Sequence, residues 1–178
     1  MLFAVCFWVG ALLADRQKMQ EALIRFHVVA ASDTEEDQKI KLSVRDALLK
    51  SMEEELGTLS DAKQATRYLQ DKLPYLQQIA EETMEKLGCE DSATITLQKE
   101  LFGKQSTAAL SLPAGLYQTL RITIGQGAGR NWWGVVFSEA VPEMQPVFAA
   151  EKENQREPQL RLLIRDVLDR LENILFSR

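Results

Sequence analysis

The alternation of apolar and polar residues along the chain predicts four β-strands. In LIRFHVVA, the side chains at successive positions fall on opposite faces of an extended chain, as they do in a strand. Three later segments show the same period of two and are rich in aromatic or β-branched residues. We therefore expect strands near Leu23, Ala93, Leu116 and Trp132.

Two regions with helical spacing of apolar residues lie between the first and second strands. Ser32 followed by Glu35 predicts a capping box at the start of the first helix, and Gly57 is placed to end it. The second region runs from about residue 60 to residue 87, with Ser60 as the expected cap. Pro74 lies inside this region and removes a backbone donor, which predicts two helices or a sharp kink.

The two ends of the chain differ from its middle. Residues 1–14 carry no charge and are too short for a comfortable membrane span of about 20 residues, so we interpret them as an export signal or membrane leader, with a buried helix or strand as the alternative. Residues 139–159 are polar and contain three prolines, which predicts an irregular linker. Residues 160–177 form an amphipathic helical pattern whose polar face carries both charge signs, which favours docking on protein over a membrane surface.

The fold class expected from this order is α+β. Residues 23–138 are predicted to form an antiparallel sheet of about four strands, with helices mainly on one face and the amphipathic helix at the C-terminus. With 46% hydrophobic and 26% charged residues, the composition is that of a globular protein. The net charge of −5 and the scattered Lys and Arg make nucleic acid a poor partner. Neither Cys6 nor Cys89 belongs to a metal-binding pattern, so no metal or cofactor is expected.

The run GQGAGRNWWG admits two interpretations. Its glycines suggest a phosphate-binding loop, but such a loop opens a helix, whereas a strand follows here. We therefore expect a connector that joins the last two strands as a hairpin, with a small-ligand-binding module as an alternative.

The two adjacent tryptophans must point to opposite faces of their strand. One assignment directs Trp133 to the helical core and leaves Trp132 on an open sheet face together with Arg25 and His27. Exposed aromatic side chains beside Arg are typical of protein-binding surfaces. The alternative is that the C-terminal helix covers that face.

Catalysis has weak support in the sequence. His27 is the single histidine, and Ser32 and Asp33 follow it closely, so a cell-envelope hydrolase using His27 is an alternative hypothesis. However, both following residues have a sufficient role at a helix N-terminus, and no nucleophile elbow is present. We expect no catalytic residue.

Two long segments resemble a known family. IRFHVVAASDTEEDQKIKLSVRDALL and LPAGLYQTLRITIGQGAGRNWWGVVF are similar to the two signatures of the stage II sporulation protein R family, in the same order, and the resemblance covers residues 23–137. It implies a signalling protein that is made in the forespore and exported into the intermembrane space, where it stays tethered if its leader is not cleaved. The implied partner is a membrane-bound aspartic protease that acts as receptor and, once activated, cleaves the sigma-E precursor. The membrane is expected to be contacted only through the leader.

The sequence departs from this family at two places. Members often carry a Cys after the Trp pair and a Pro-Pro-Leu-Cys run after the strand, whereas this chain has Gly134 and SEAVPEMQ, so a disulfide between such cysteines is absent. The candidates for contact with the protease lie in the motifs: His27, Asp33, Arg45, Asp46, Asn131, Trp132 and Trp133. Structural roles are the alternative for several of them, such as helix capping by Asp33 and pairing of Arg45 and Asp46 along the helix.

Overall fold

The structure, a computed structural model, describes residues 17–106 and 111–139. Residues 17–21 are helical and lead into the first strand. The two long helices are α1 (Glu35–Gly57) and α2 (Ala62–Lys86). The strands are β1 (Leu23–Val29), β2 (Ala93–Phe102), β3 (Gln105–Ser106), β4 (Ser111–Leu112), β5 (Gly115–Ile124) and β6 (Asn131–Ser138).

The main sheet has four strands in the order β2-β5-β1-β6, and β3 and β4 form a separate two-stranded ribbon. The pairs β2–β5 and β1–β6 are antiparallel, whereas β1 and β5 run parallel. The predicted α+β class is confirmed, with a mixed sheet in which most pairs are antiparallel.

The predicted hairpin between β5 and β6 is wrong, because β1 lies between these strands. All seven residues of β1 are buried, which suits a central strand that is covered on both faces and paired along both edges. The connection at residues 125–130 passes over the end of β1. There the amides of Ala128 and Gly129 donate to the carbonyls of Ala31 and Ala30, at 3.1 and 3.0 Å.

Both helices begin at residues other than the predicted caps. Thr34 caps α1 by accepting a hydrogen bond from the Asp37 amide at 3.2 Å, and Asp61 caps α2 by accepting from the Gln64 amide at 2.8 Å. The capping box from Ser32 and the cap from Ser60 are therefore wrong. In each case a neighbouring hydroxyl or carboxylate reaches the free amide of the first turn.

The second helix is continuous through Pro74, so the expected division into two helices does not occur. Pro74 and Gln70, whose carbonyl loses its usual amide donor, both lie on the exposed side of α2. Water can bond to that carbonyl, so the proline costs less there than it would inside the core.

The sheet has two unequal apolar faces. Phe26, Leu120 and Trp132 belong to the larger cluster, which packs under α1 and α2. The other face carries a smaller cluster in which Trp133 packs against five buried residues: Leu23, Phe102, Leu112, Tyr117 and Val135.

Several predicted segments lie outside the described residues: the leader at 1–14, the linker beyond Glu139, and the amphipathic helix at 160–177. Over 17–106 and 111–139, no helix is both long enough and apolar enough to cross a membrane.

Candidate functional site

The two signature segments of the sequence meet at one end of the sheet. We call this place the loop junction; it consists of residues 30–34, after β1, and residues 125–130, between β5 and β6. Besides the amides of Ala128 and Gly129, the Arg130 amide donates to the Asp33 carboxylate at 2.6 Å. The Arg130 guanidinium also lies 3.6 Å from that carboxylate. Asp33, one of the predicted contact residues, thus binds the opposite loop instead of capping α1.

A buried polar network fixes the loop junction to the first helix. The side chain of Lys41 is fully buried, and its ammonium donates to the Gln38 side-chain oxygen at 2.6 Å and to the Arg130 carbonyl at 3.2 Å. The Gln38 amide in turn donates to the Ser32 carbonyl at 2.8 Å. One helix therefore holds both loops through their backbone carbonyls. This arrangement limits their freedom to move apart.

The glycines of the loop at residues 125–130 allow its backbone to approach the loop that follows β1. A Cβ atom on Gly129 would lie 2.1 Å from the Ser32 carbonyl oxygen, and Gly127 adopts a φ of +60°, which favours glycine. The amides of residues 127–130 all donate within the protein. A phosphate site needs free amides at a helix N-terminus, so this geometry weighs against the small-ligand alternative.

The faces of the two tryptophans are the reverse of the predicted assignment. In the β1–β6 register, Trp132 lies opposite Val28 and Trp133 lies opposite His27. Trp132 therefore faces the helices, where it is buried, contacts Phe26 edge-on at 5.6 Å and lies under the Arg45 guanidinium at 5.1 Å.

A register irregularity and a glycine explain this arrangement. The pairing of β6 skips Val136 between Arg25 and Ile24, so the simple alternation from Trp133 to Phe137 is broken. A Cβ atom on Gly134 would come within 2.4 Å of the Trp132 ring. The glycine at the position where the family often has Cys therefore leaves room for that ring.

Trp133 lies on the smaller face and covers the single histidine. Its ring stacks on the His27 imidazole, with centroids 3.6 Å apart and an interplanar angle of 23°. Trp133 is half-buried, and His27 is only 3% exposed. The expected open face of Trp132, Arg25 and His27 is therefore wrong, because Trp132 points away and the other two side chains are buried.

His27 belongs to a charged group that we call the polar cluster, comprising Arg25, His27, Glu100, Gln105 and Arg121. His27 Nδ1 donates to the Glu100 carboxylate at 2.9 Å, and Arg121 donates to the other carboxylate oxygen at 3.1 Å. Burial lowers the pKa of His27, and the hydrogen bond to Glu100 only partly offsets this. Burial alone would raise the pKa of Glu100, but the bonds from His27, Gln98 and Arg121 lower it to about 2. At neutral pH the cluster thus holds an uncharged imidazole against an ionised carboxylate.

Arg25 is the most buried member of the polar cluster, with 1% of its surface exposed. Its Nη2 donates to the Gln105 side-chain oxygen, and its guanidinium carbon lies 3.9 Å from the centroid of the Phe102 ring. Burial lowers the pKa of this guanidinium to about 10. The sequence offered one signal for Arg25, a charged residue in a strand of otherwise apolar character. It offered none for Glu100 or Arg121.

The remaining candidates, Arg45, Asp46 and Asn131, belong neither to the loop junction nor to the polar cluster. Arg45 and Asp46 pair with each other on α1 at 2.8 Å, and the Asp46 side chain is 61% exposed. Asn131 is half-buried beside His27 and favours the protonated ring, but its geometry falls short of a hydrogen bond to Nε2.

In the part of the chain that the structure describes, no nucleophile is hydrogen-bonded to His27, which weighs against the hydrolase alternative. The His27 Nε2 has no hydrogen-bond partner among the described residues, and the Ser32 hydroxyl bonds instead to Asp37 and Thr34. Within the same part of the chain, no group of three His, Cys, Asp or Glu side chains could hold a metal ion.

The fold and the loop junction define a small α+β domain that presents two interlocked loops at one end of a mixed sheet. Residues 20–142 match the family described as stage II sporulation protein R, and the chain belongs to that family. It is similar to the stage II sporulation protein R of Bacillus subtilis (strain 168), with 34% identity over an alignment of 143 residues that covers 75% of this chain and 64% of that protein. The chain therefore spans less than two thirds of that relative. No solved structure shows significant similarity to this chain.

Proposed function

We propose that this protein is an exported intercellular signal of endospore formation that activates a membrane-bound aspartic protease by binding to it. The activated protease would then process the sigma-E precursor in the neighbouring cell. Membership of the stage II sporulation protein R family supports the sporulation role. The activation step follows from what the resemblance implies for the two signature segments.

The observation that carries this proposal is the loop junction. Its two loops come from segments about 90 positions apart, yet backbone bonds and the buried Lys41 network hold them together. Asp33, Gln126 and Arg130 are exposed there. A surface that is ordered before binding loses less conformational entropy on association, which suits a protein whose task is to bind.

The position of the loop junction also fits a receptor contact. The described chain enters and leaves the sheet at the opposite end, where the Glu139 amide donates to the Ala22 carbonyl. The seven residues of β1 separate the two ends by about 20 Å. The loop junction thus lies at the end of the sheet farther from Leu23, where the described chain enters β1, and a partner could reach it there.

Activation by binding requires a difference in affinity. The signal must bind the active state of the protease more tightly than its inactive state, because equal affinity would shift no equilibrium. We place the contact on the exposed side chains of the loop junction. Trp132 is unsuitable as a contact because it is a core residue, and its removal would test folding.

The experiment measures sigma-E precursor processing in sporulating cells that lack their own copy of the signal and receive this chain. Arg130→Ala removes an exposed cation but leaves the backbone bonds of the loop junction in place. Lys104→Ala, the matched control, removes an exposed cation near the opposite end of the sheet.

We expect the natural chain and Lys104→Ala to restore processing, and Arg130→Ala to restore clearly less at equal exported amounts. Equal activity of the two variants would exclude the loop junction as the contact. Failure of the exported natural chain, with its own protease present, would overturn the signalling proposal.

A further inference from the structure

We propose that the polar cluster on the smaller sheet face is a binding site for a single carboxylate group, with Arg25 as its anchor. This site lies on the face opposite the helices and is independent of the proposed signalling function. At its centre is a buried cation whose hydrogen-bonding capacity is largely unused.

Within residues 17–106 and 111–139, Arg25 is buried without an anionic partner. Of its three nitrogen atoms, Nη2 donates to the neutral Gln105 amide oxygen, while Nε and Nη1 have no hydrogen-bond partner in this part of the chain. Among the described residues, no carboxylate lies within ion-pairing distance of Arg25. Buried charges are ordinarily paired, because an unpaired one loses its hydration without compensation. A bound anion would compensate the buried charge and could accept hydrogen bonds from Nε and Nη1.

The neighbouring carboxylate does not fill this role. Glu100 is already engaged by His27 at one oxygen and by Arg121 at the other. It acts on Arg25 only at longer range. The negative charge of Glu100 is thus paired with His27 and Arg121 and does not neutralise Arg25.

The charge of the polar cluster selects the kind of anion. Arg25 and Arg121 contribute two positive charges, Glu100 contributes one negative charge, and His27 is neutral when it donates through Nδ1 alone. The net charge of +1 matches a singly charged carboxylate, whereas a phosphate dianion would leave an uncompensated negative charge.

The walls of the site indicate what carries the carboxylate. Phe102 lies against the Arg25 guanidinium, and its ring contacts Tyr117 edge-on at 6.0 Å and Trp133 edge-on at 5.1 Å. An apolar stem of a few carbons suits this surface. The acidic side chain of a protein and a free short-chain monocarboxylate share this chemistry.

Entry of the ligand involves Gln105. This half-buried side chain supplies the neutral oxygen that accepts a hydrogen bond from Arg25. An incoming carboxylate would replace that amide oxygen with a charged acceptor, and charge-assisted hydrogen bonds are about twice as strong as neutral ones.

The test follows the Arg25 Nε–H resonance by ¹⁵N NMR in the full chain. Acetate is added and compared with chloride and with phosphate at equal ionic strength. A resonance shift that saturates with acetate and is absent with chloride supports the site. An equal response to chloride, or no response to any anion, overturns it, and saturation by phosphate at tenfold lower concentration than acetate overturns the selection for a single charge.

Gln105→Glu provides a variant that retains the cluster. It places a carboxylate where the neutral amide stands, so we expect a higher urea midpoint of unfolding and a loss of the acetate response by tenfold or more. Gln126→Glu, which adds the same charge at the exposed loop junction, should respond to acetate as the natural chain does. An unchanged acetate response in Gln105→Glu would overturn the proposal.

A second comparison distinguishes the source of the carboxylate. Short peptides with blocked ends and a central Glu or Gln are titrated against the same resonance. Binding of the Glu peptide about tenfold or more tighter than both the Gln peptide and acetate indicates an acidic side chain of a partner. Binding of acetate alone indicates a free monocarboxylate, and binding of neither overturns the site.

Discussion

The imidazole of His27 reports directly on the smaller face of the sheet. It is buried under the stacked Trp133 ring and bonded to Glu100, and these two neighbours act on its pKa in opposite directions. Burial lowers the pKa and is the larger effect, while the carboxylate raises it. Because the chain has one histidine, its titration can be followed without ambiguity.

We predict that His27 titrates below its ordinary value of about 6.5. Trp133→Ala should move its pKa up towards that value, because water would then reach the imidazole. Glu100→Gln should move it further down, because the carboxylate that favours the protonated ring is removed. The measurement is the pH dependence of the His27 ring signals by NMR.

Glu53→Gln is the control for these two variants, since Glu53 is exposed on α1, which packs on the other face. It should leave the His27 titration unchanged. A pKa that falls in Trp133→Ala, or rises in Glu100→Gln, would contradict the opposing effects of burial and of Glu100 on the imidazole.

The sequence could place the two tryptophans on opposite faces, but it could not say which one faced the helices. That outcome depends on pairing His27 with Trp133 across two strands and on the skipped position at Val136. Gly134 adds to it, since its lack of a side chain makes room for the Trp132 ring. These are contacts between distant segments, which the period of a single strand does not contain.

At the scale of elements, the connection between β5 and β6 depends on one glycine. In Gly129→Ala, the added methyl would meet the Ser32 backbone oxygen, so one of the two loops must shift. We predict a loss of about 1–3 kcal/mol in the free energy of unfolding, which is the usual cost of forcing extra volume into a packed site. Urea denaturation measures it.

Gly57→Ala is the matched substitution, because a Cβ atom there would meet nothing within 4 Å. Gly57 is the last residue of α1, so alanine should be neutral or stabilise the protein by up to about 1 kcal/mol. If both alanine variants were equally stable, the close approach of Gly129 to Ser32 would be wrong.

The bond between Asp33 and the Arg130 amide gives a prediction for the same junction. Asp33→Ala leaves that amide without its charged acceptor, so we expect its hydrogen exchange to accelerate severalfold. The loss of unfolding free energy should be about 1 kcal/mol, as for an exposed hydrogen bond to a charged group. Asp46→Ala removes a carboxylate that pairs, as far as the structure describes the chain, with its neighbour Arg45 alone, and should leave the Arg130 amide as protected as before. Equal exchange in both variants would contradict the role of Asp33.

Much of the element structure could be predicted from the local pattern. The period of two located the four long strands, and the helical spacing located α1 and α2. The caps were displaced by one or two residues, because Ser32 and Thr34 are both able to cap α1, as Ser60 and Asp61 are for α2, and only the three-dimensional path of the chain decides within each pair. The prediction of a hairpin between β5 and β6 was wrong for a different reason. GQGAGR has the length of a hairpin loop, but the fully buried β1 requires partners along both of its edges.

At the scale of the whole molecule, the strand order places the two signature segments together and puts the polar cluster on the smaller sheet face, opposite the helices. Neither result follows from local periodicity, because both depend on β5 and β6 lying on opposite sides of β1. The sequence did carry the two motifs, but of the seven candidates that it offered for the protease contact, only Asp33 lies in the loop junction. It did not reveal the polar cluster, whose members come from three strands and a short ribbon.

The polar cluster should make the stability of the whole domain depend on pH. Since the folded state lowers the pKa of His27, the unfolded chain binds more protons as the pH falls below about 6.5, and stability decreases. The pKa of Glu100 falls from 4.5 to about 2 on folding, so its contribution is present above pH 4.5 and is lost as the pH decreases towards 2. Both groups therefore act in the same direction. We expect the urea midpoint to decrease from pH 7.5 to 5.5 and again below pH 4.5.

The variant Glu100→Gln separates the decrease in stability caused by His27 from the decrease caused by Glu100. It should be less stable at neutral pH by roughly 1.5–3 kcal/mol, the usual contribution of hydrogen bonds to a charged group. Its profile below pH 4.5 should be flatter, because no carboxylate remains at this position to be protonated. The decrease just below pH 6.5 should persist, since His27 is still buried. If the urea midpoint of the natural chain were constant from pH 7.5 to 3, folding would lower the pKa of neither His27 nor Glu100. If Glu100→Gln kept the full decrease below pH 4.5, that decrease would belong to other carboxylates.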